Sequence, residues 1–132
     1  MRVNDKILFD SEPPEEQIQS ITQSYKSDDF NEVLLKVTYL LSQFPSSILL
    51  LNFFGICHIK LENLDVAIEA YKTVVTLNPN DLNGHFSMAK IYHEKGSLDQ
   101  AIVAYNNVLR INPLDAETLN SLGMCLQDKG NF

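Results

Sequence analysis

The residues best able to do chemistry in this sequence are three histidines and two cysteines, because such side chains bind metals, carry protons and act as nucleophiles. They are His58, His85, His93, Cys57 and Cys125. The histidines do not cluster, and Cys57 and His58 are consecutive, so on a helix their side chains point in different directions. The chain has no glycine-rich phosphate loop, HExxH, CxxC or nucleophile elbow. We therefore expect no metal, no cofactor and no enzymatic activity.

Charge and hydropathy limit the classes of partner. The net charge is −7, and the ten Lys and Arg residues are scattered singly, which argues against a surface that binds nucleic acid. The longest apolar stretch, 48–59, is interrupted by Asn52 and His58 and is shorter than the roughly 18 residues of a membrane span. The N-terminus lacks the features of a secretory signal. The sequence therefore predicts a cytoplasmic protein without a membrane or nucleic-acid partner.

The elements that must position any binding residues are indicated by an internal repeat. Residues 48–81 align with residues 82–115 over a 34-residue period with ten identities. Apolar residues recur at spacings of three, four and seven, which is typical of helices with one buried face. Such a period indicates stacked pairs of antiparallel helices. The identities are Leu64/Leu98, Asp65/Asp99, Ala67/Ala101, Ile68/Ile102, Ala70/Ala104, Tyr71/Tyr105, Val74/Val108, Asn78/Asn112, Pro79/Pro113 and Asp81/Asp115.

This pattern resembles the tetratricopeptide-repeat (TPR) family. The resemblance implies an all-α fold, a right-handed superhelix of helix–turn–helix repeats. We expect full repeats at 14–47, 48–81 and 82–115, with 116–132 forming the first helix of an incomplete fourth repeat. Residues 1–13 are expected to be an N-terminal tail, which is disordered unless something holds it.

The turns should follow the same period. Gly96 and Gly130 stand where first helices end, a place that favours a left-handed residue. Each proline that stops a second helix is followed two residues later by a residue whose side chain can cap the next helix. These pairs are Pro45 with Ser47, Pro79 with Asp81 and Pro113 with Asp115.

Packing predictions follow from residue size. Ala67 and Ala101 are expected where the two helices of a repeat cross closely, and Val33 at the equivalent position predicts wider spacing in the first repeat. Cys57 and Cys125 lie two repeats apart, too far for a disulfide. We expect both cysteines to be reduced and buried.

The resemblance also implies a binding surface, since the first helices of TPR proteins line a concave groove that receives peptides or helices. A chaperone-type carboxylate clamp is not expected, because Asn52 and Ile56 hold the first clamp sites and the groove has no Arg. The asparagine ladder of protein O-glycosyltransferases is also absent, since Phe53, Ser87 and Ser121 stand at its position. The predicted groove residues are Leu49, Asn52, Phe53, Ile56, Ile59, Phe86, Lys90, His93, Asn120, Met124 and Gln127.

The predicted function is a non-catalytic protein-interaction module that binds a peptide or helix in this groove. The apolar face of helix 48–59 indicates a contact surface. Its occupant could be a foreign peptide or helix, the chain's own Ile7-Leu8-Phe9 or a downstream segment, or a second copy. The alternative is the N-terminal TPR region of a larger bacterial sulfotransferase or glycosyltransferase, serving acceptor recruitment or dimerisation, because residues 25–71 look similar to the opening repeats of such proteins.

The C-terminus carries one further expectation. The chain stops at Phe132, which aligns with Leu64 and Leu98 at the start of a second helix. We expect that the sequence is part of a longer protein, and that its last helix leaves an apolar face partly uncovered. We expect this face, which includes Leu119, Leu122 and Leu126, to be covered by self-association, including a homodimer, by swapped packing or by a bound partner.

Overall fold

The computed structural model describes residues 12–130, so the expectations for Ile7-Leu8-Phe9 and Phe132 lie outside the described residues. Within the described part, the secondary structure consists of seven α-helices and no strands. The predicted all-α fold of helix pairs is confirmed. The helices are α1 Glu15–Lys26, α2 Phe30–Leu41, α3 Ile48–Lys60, α4 Leu64–Leu77, α5 Leu82–Glu94, α6 Leu98–Ile111 and α7 Ala116–Gly130.

The chain divides into two compact units, Met1–Leu77 and Asn78–Phe132. In the first unit, helices α1 to α4 pack in chain order, and in the second unit α5 packs on α6 and α6 on α7. None of the helices in residues 12–130 combines the length and apolarity needed to cross a bilayer.

The core of the first unit is formed by apolar side chains at helical spacing. Aromatic residues of α1 and α3 pack against its edge, including Phe53 and Phe54. Helix α4 adds Ala67 and Tyr71, both fully buried. The buried cluster of α1, α2, α3 and the turn between α2 and α3 consists of Ile21, Val33, Val37, Leu40, Phe44, Leu50 and Cys57.

The core of the second unit lies between α6 and the helices on either side of it. Ala101 is fully buried where the sequence predicts a close crossing, and Tyr105 is 1% exposed.

In the first unit, Val33 is also fully buried, and α1 and α2 contact each other less extensively than α3 and α4 do. The wider spacing that Val33 predicts for the first repeat stays a prediction.

Both cysteines are free and buried, as predicted. Burial raises the pKa of the Cys57 thiol to about 11, and burial also raises the pKa of Cys125. The un-ionised thiol is a poor nucleophile and metal ligand, so these residues fill space in the core.

Side-chain caps hold the starts of the first helices. The Ser47 hydroxyl accepts a hydrogen bond from the Leu50 N–H at 3.1 Å, and Asp81 accepts one from the Gly84 N–H at 2.7 Å. The Asp115 carboxylate accepts a hydrogen bond from the Thr118 hydroxyl at 2.6 Å. The predicted caps Ser47 and Asp81 are therefore confirmed.

A left-handed residue ends the first helix in three successive helix pairs. Asp28, Glu62 and Gly96 have φ values of 57°, 62° and 81°, at intervals of 34 residues. In each turn the next backbone N–H donates to the carbonyl five residues earlier, at 3.1, 2.7 and 2.8 Å, which is the Schellman arrangement.

The left-handed conformation predicted for Gly96 is confirmed, whereas the one predicted for Gly130 is wrong. Gly130 is the last residue of α7 and its φ is outside the left-handed region. Glycine adopts helical and left-handed conformations about equally readily, so its presence does not decide between them.

Candidate protein-binding surface

The predicted site residues of the first unit all lie on α3, and we call this set the α3 face. Each member is partly buried. Phe53 packs edge-on against Tyr25, with ring centroids 5.8 Å apart, and so also supports the core. Asn52 already has an interaction partner within the chain. The members are Leu49, Asn52, Phe53, Ile56 and Ile59.

The predicted site residues of the second unit lie on α5 and α7, and we call them the α5–α7 face. Lys90 is exposed on α5, whereas Phe86 and His93 are partly buried. On α7, Met124 is 53% exposed. Asn120 and Gln127 on the same helix are also exposed. The members are Phe86, Lys90, His93, Asn120, Met124 and Gln127.

A hydrogen bond fixes the two helices of this face to each other. His93 Nε2 on α5 lies 2.7 Å from Asp128 Oδ2 on α7. The other ring nitrogen, Nδ1, lies 3.4 Å from the Tyr105 hydroxyl. Both nitrogens of His93 therefore have partners within the chain, so this histidine helps to hold α5 and α7 together.

Tyr105 is the structural centre of the face. Its ring packs edge-on against Phe86 and His93, with centroid distances of 6.1 and 6.3 Å. Burial raises the pKa of Tyr105, and a side-chain hydrogen bond with Ser121 acts in the opposite direction. Through one buried phenol, residues of α5, α6 and α7 are held in a fixed arrangement.

The groups that remain accessible suit binding. The Lys90 Nζ lies 5.8 Å from the centre of the Phe86 ring, a cation–π geometry. The Asn120 amide lies 3.9 Å from the Met124 sulfur and makes only a weak hydrogen bond to it. The accessible groups of this face therefore include a flexible thioether, a ring edge and one ammonium group, together with the half-exposed carboxylate of Asp128.

The other two histidines are also engaged in the structure. His85 is 7% exposed, and its Nε2 donates to the Pro79 carbonyl at 2.8 Å. The His58 ring packs on Phe54 at 4.5 Å, and its Nδ1 pairs with the Asn63 amide at 3.2 Å. In residues 12–130, no group of three or more His, Cys, Asp or Glu side chains is placed to hold a metal ion.

Sequence reasoning missed two residues of the second unit that organise the face. The repeat identifies Tyr105 only as a recurring residue of the second helix, and Asp128 is not among the predicted groove residues. His93 and Asp128 are 35 residues apart, one repeat plus one residue. That offset could have indicated that neighbouring first helices bring the two side chains together.

Comparison with known proteins agrees with this architecture. A family model described as TPR repeat matches residues 58–96 and 89–130, more than half of the chain. No curated protein sequence matches the chain.

Several solved structures are similar to this chain in fold. One is the first TPR of Spaghetti (RPAP3) bound to the HSP90 peptide SRMEEVD, with a TM-score of 0.81 and 18% identity over 86% of this chain and 90% of that one. PcrH in complex with the chaperone binding region of PopD has a TM-score of 0.80 and 16% identity, over 87% and 92% of the two chains. MamA has a TM-score of 0.81 and 18% identity, over 86% of this chain and 62% of its own. With the 34-residue period and the family match, these findings show that the chain belongs to the tetratricopeptide-repeat family.

Proposed function

We propose that this protein is a non-catalytic interaction module that binds a peptide or a helix from a protein partner. The family match supports this class of function. Two of the similar structures, Spaghetti and PcrH, are described in complex with a peptide and with a region of another protein. Both favour a protein segment as the ligand.

The observation that carries the proposal is the α5–α7 face. Phe86, Lys90 and Met124 are accessible in whole or in part. The Tyr105 and His93 contacts beneath them fix the two helices that carry these residues. A rigid support with apolar side chains reduces the entropy lost on binding, which is what a peptide site needs.

The contacts suggest the chemistry of the ligand. One bulky apolar side chain would pack between Phe86 and Met124, and a nearby acidic group or carbonyl would reach Lys90. Asn120 would exchange its weak bond to the Met124 sulfur for a stronger bond to the peptide backbone. On the first unit, the α3 face would be a separate apolar contact surface, with Asn52 as its polar group.

We do not extend the chaperone-peptide specificity of Spaghetti to this chain. The two residues at the first clamp sites, Asn52 and Ile56, leave only one polar group there. A terminal carboxylate needs several charge-assisted hydrogen bonds for tight binding. An internal apolar segment is therefore the proposed ligand.

The test is a selection of random twelve-residue peptides displayed on phage against the purified protein. Affinities of synthetic copies are then measured by fluorescence anisotropy for the wild type and for Phe86→Ala. If Phe86 is an anchor, its removal should weaken binding by about 5- to 150-fold, equivalent to about 1–3 kcal/mol.

Val103→Ala is the matched control, because Val103 is 62% exposed on the second helix α6. This control should bind every selected peptide with wild-type affinity, and circular dichroism should show that Phe86→Ala is folded. If all selected peptides bind Phe86→Ala and Ile56→Asp with unchanged affinity, the proposed surface is wrong.

Self-association through α7 remains a further proposal. Leu119 and Leu126 are 47% and 49% exposed, and Leu122 is partly buried. Burying such side chains in a symmetric contact would stabilise a homodimer. Sedimentation equilibrium should show a dimer that Leu119→Glu with Leu126→Glu dissociates, and a wild-type monomer at high concentration would contradict it.

The alternative of a TPR region serving a larger transferase stays a prediction. Acceptor recruitment would require the same peptide-binding surfaces, so the selection experiment applies to it equally.

A further inference from the structure

A notch lies between α1 and α2 at the start of the first unit. It has a volume of about 150 Å³ and is lined by Gln17, Ser20, Lys36, Tyr39 and Leu40. None of the residues that line this notch belongs to the α3 face or the α5–α7 face. The proposed peptide binding and the proposed self-association through α7 do not involve it.

The repeat register explains why the notch exists. Gln17 and Ser20 occupy the repeat positions that Leu51 and Phe54 hold one period later on α3. Leu51 is 8% exposed, and Phe54 packs against the core. In the first helix pair these bulky apolar side chains are replaced by polar ones, so the notch is the volume that they would fill.

The charged group of the notch, the Lys36 ammonium, already has partners. The Lys36 ammonium donates to the hydroxyls of Ser20 and Ser24 at 2.8 and 2.9 Å, and it lies 3.8 Å from Glu32. An apolar side chain entering the notch would therefore leave no buried charge unpaired, which would otherwise be costly.

The outer surface of α2 is unusually apolar beside the notch. Leu35 is 70% exposed and Tyr39 is 63% exposed. At the same repeat positions α4 carries Glu69 and Thr73, and α6 carries Val103, 62% exposed, and Asn107. Of these three helices, α2 alone is apolar at both positions. A second depression along α2, also lined by Leu35 and Tyr39, continues this apolar surface. Such a surface indicates a contact.

The described chain begins at Glu12, five residues before Gln17 of the notch lining. Glu12 accepts a hydrogen bond from the Ser47 hydroxyl, and Pro13 is buried, so the point from which the N-terminal segment departs is held in place. Helix α1 begins at Glu15, which puts Gln17 in its first turn. Phe9 is three residues upstream of Glu12 and can reach about 10 Å, and Ile7 can reach about 17 Å.

We propose that the N-terminal segment Ile7-Leu8-Phe9 docks on the first helix pair of the same chain, with the Phe9 ring in the α1–α2 notch and Ile7 and Leu8 along Tyr39 and Leu35. A cavity of about 150 Å³ accepts a benzene-sized ring, which matches the phenylalanine side chain. The segment would supply an apolar side chain where the first repeat has Ser20 in place of the phenylalanine found at position 54.

The first test measures access to the notch through an introduced thiol. Gln17→Cys places the thiol in the notch lining, and Gln19→Cys places it on the same helix outside the lining; both wild-type residues are exposed. The native cysteines are buried and contribute little background. Adding Phe9→Ala should raise the rate of reaction with a disulfide reagent at least threefold in the Gln17→Cys protein and leave the Gln19→Cys rate unchanged.

Two results would overturn the proposal in this test. Equal rates with and without Phe9→Ala would mean that the notch is not covered by the segment. Protection that grows with protein concentration would assign the notch to a second copy of the chain.

The second test is a thermal double-mutant cycle between Phe9→Ala and Tyr39→Thr, the latter introducing the residue found at position 73. Phe9→Ala alone should lower the melting temperature by about 3–6 °C. In the Tyr39→Thr background, Phe9→Ala should lower the melting temperature much less, because the contact between the Phe9 and Tyr39 side chains is already lost. Val103→Thr serves as the control background, in which the full shift should persist. Additive shifts in the Tyr39→Thr background would refute the docking.

Discussion

Replacing Gly55 with alanine should destabilise the protein through one contact that the structure defines. A Cβ atom at Gly55 would lie 2.6 Å from Tyr71 Cε2 and 2.7 Å from Tyr71 Cζ. Tyr71 is fully buried, so its ring has no open space to move into. Overpacking of this kind costs about 1–3 kcal/mol, while alanine in a helix gains roughly 0.5–1 kcal/mol over glycine.

Gly123 provides a matched comparison, because it occupies the same repeat position on α7. An added Cβ there meets no atom within 4 Å. Gly123→Ala should therefore stabilise the protein by roughly 0.5–1 kcal/mol. Since the gain in helix propensity is common to both variants, the difference between them isolates the Tyr71 contact and should be about 1–3 kcal/mol.

Urea unfolding followed by circular dichroism measures both free energies. A second background, Tyr71→Leu, removes the ring atoms that the new Cβ would meet, and in it Gly55→Ala should cost less than in the wild type. If Gly55→Ala and Gly123→Ala change the free energy of unfolding equally, the close approach of α3 to Tyr71 is not what requires glycine.

Three further predictions concern a turn, a histidine and a thiol. Glu62→Gly should raise the melting temperature, because a non-glycine residue at a φ of 62° costs about 1–2 kcal/mol. Gly96→Ala should lower the melting temperature, although an added Cβ at Gly96 would meet no atom within 4 Å. Equal melting temperatures for the wild type, Glu62→Gly and Gly96→Ala would contradict this argument from backbone conformation. Burial lowers the pKa of His58 below its ordinary 6.5, so the folded state favours the neutral ring. The contribution of His58 to the free energy of unfolding is therefore fully present above pH 6.5 and is lost as the pH falls through the pKa of the folded state. When the pH is lowered from 7.5 to 5.5, the melting temperature should therefore fall less for His58→Gln than for the wild type. An identical fall in both proteins would show that His58 does not contribute to the pH dependence. With the pKa of Cys57 raised to about 11, its thiol should react slowly with a disulfide reagent at pH 8 until urea unfolds the chain, whereas rapid native reaction would show that it is accessible.

The 34-residue period predicted most of the fold, because packing and turn chemistry repeat together. Ala67 and Ala101 are at buried crossings, and Ser47 and Asp81 cap the helices that follow them. Each of these outcomes depends on the size or hydrogen-bonding capacity of one residue and on its neighbours within one repeat. Such local properties can be read from sequence.

The predictions that failed or were missing depend on choices that residue type does not decide. The left-handed turn at Glu62 could not be recognised from a glutamate, since only the repeat register indicates it. Gly130 allowed two conformations and adopts the helical one. The contact between His93 and Asp128 joins two repeats, and periodicity within one repeat contains no information about it.

The contacts that pack each unit join helices that follow one another along the chain, and the hydrogen bonds that close the turns span at most five residues. Such a unit has no distant strand pairing that must break before anything else can move. Under a pulling force, a helix at the end of a unit should peel away while its neighbours stay folded. The protein would then lengthen in small steps under tension and recover quickly when released, because each helix finds its partner next to it in the chain.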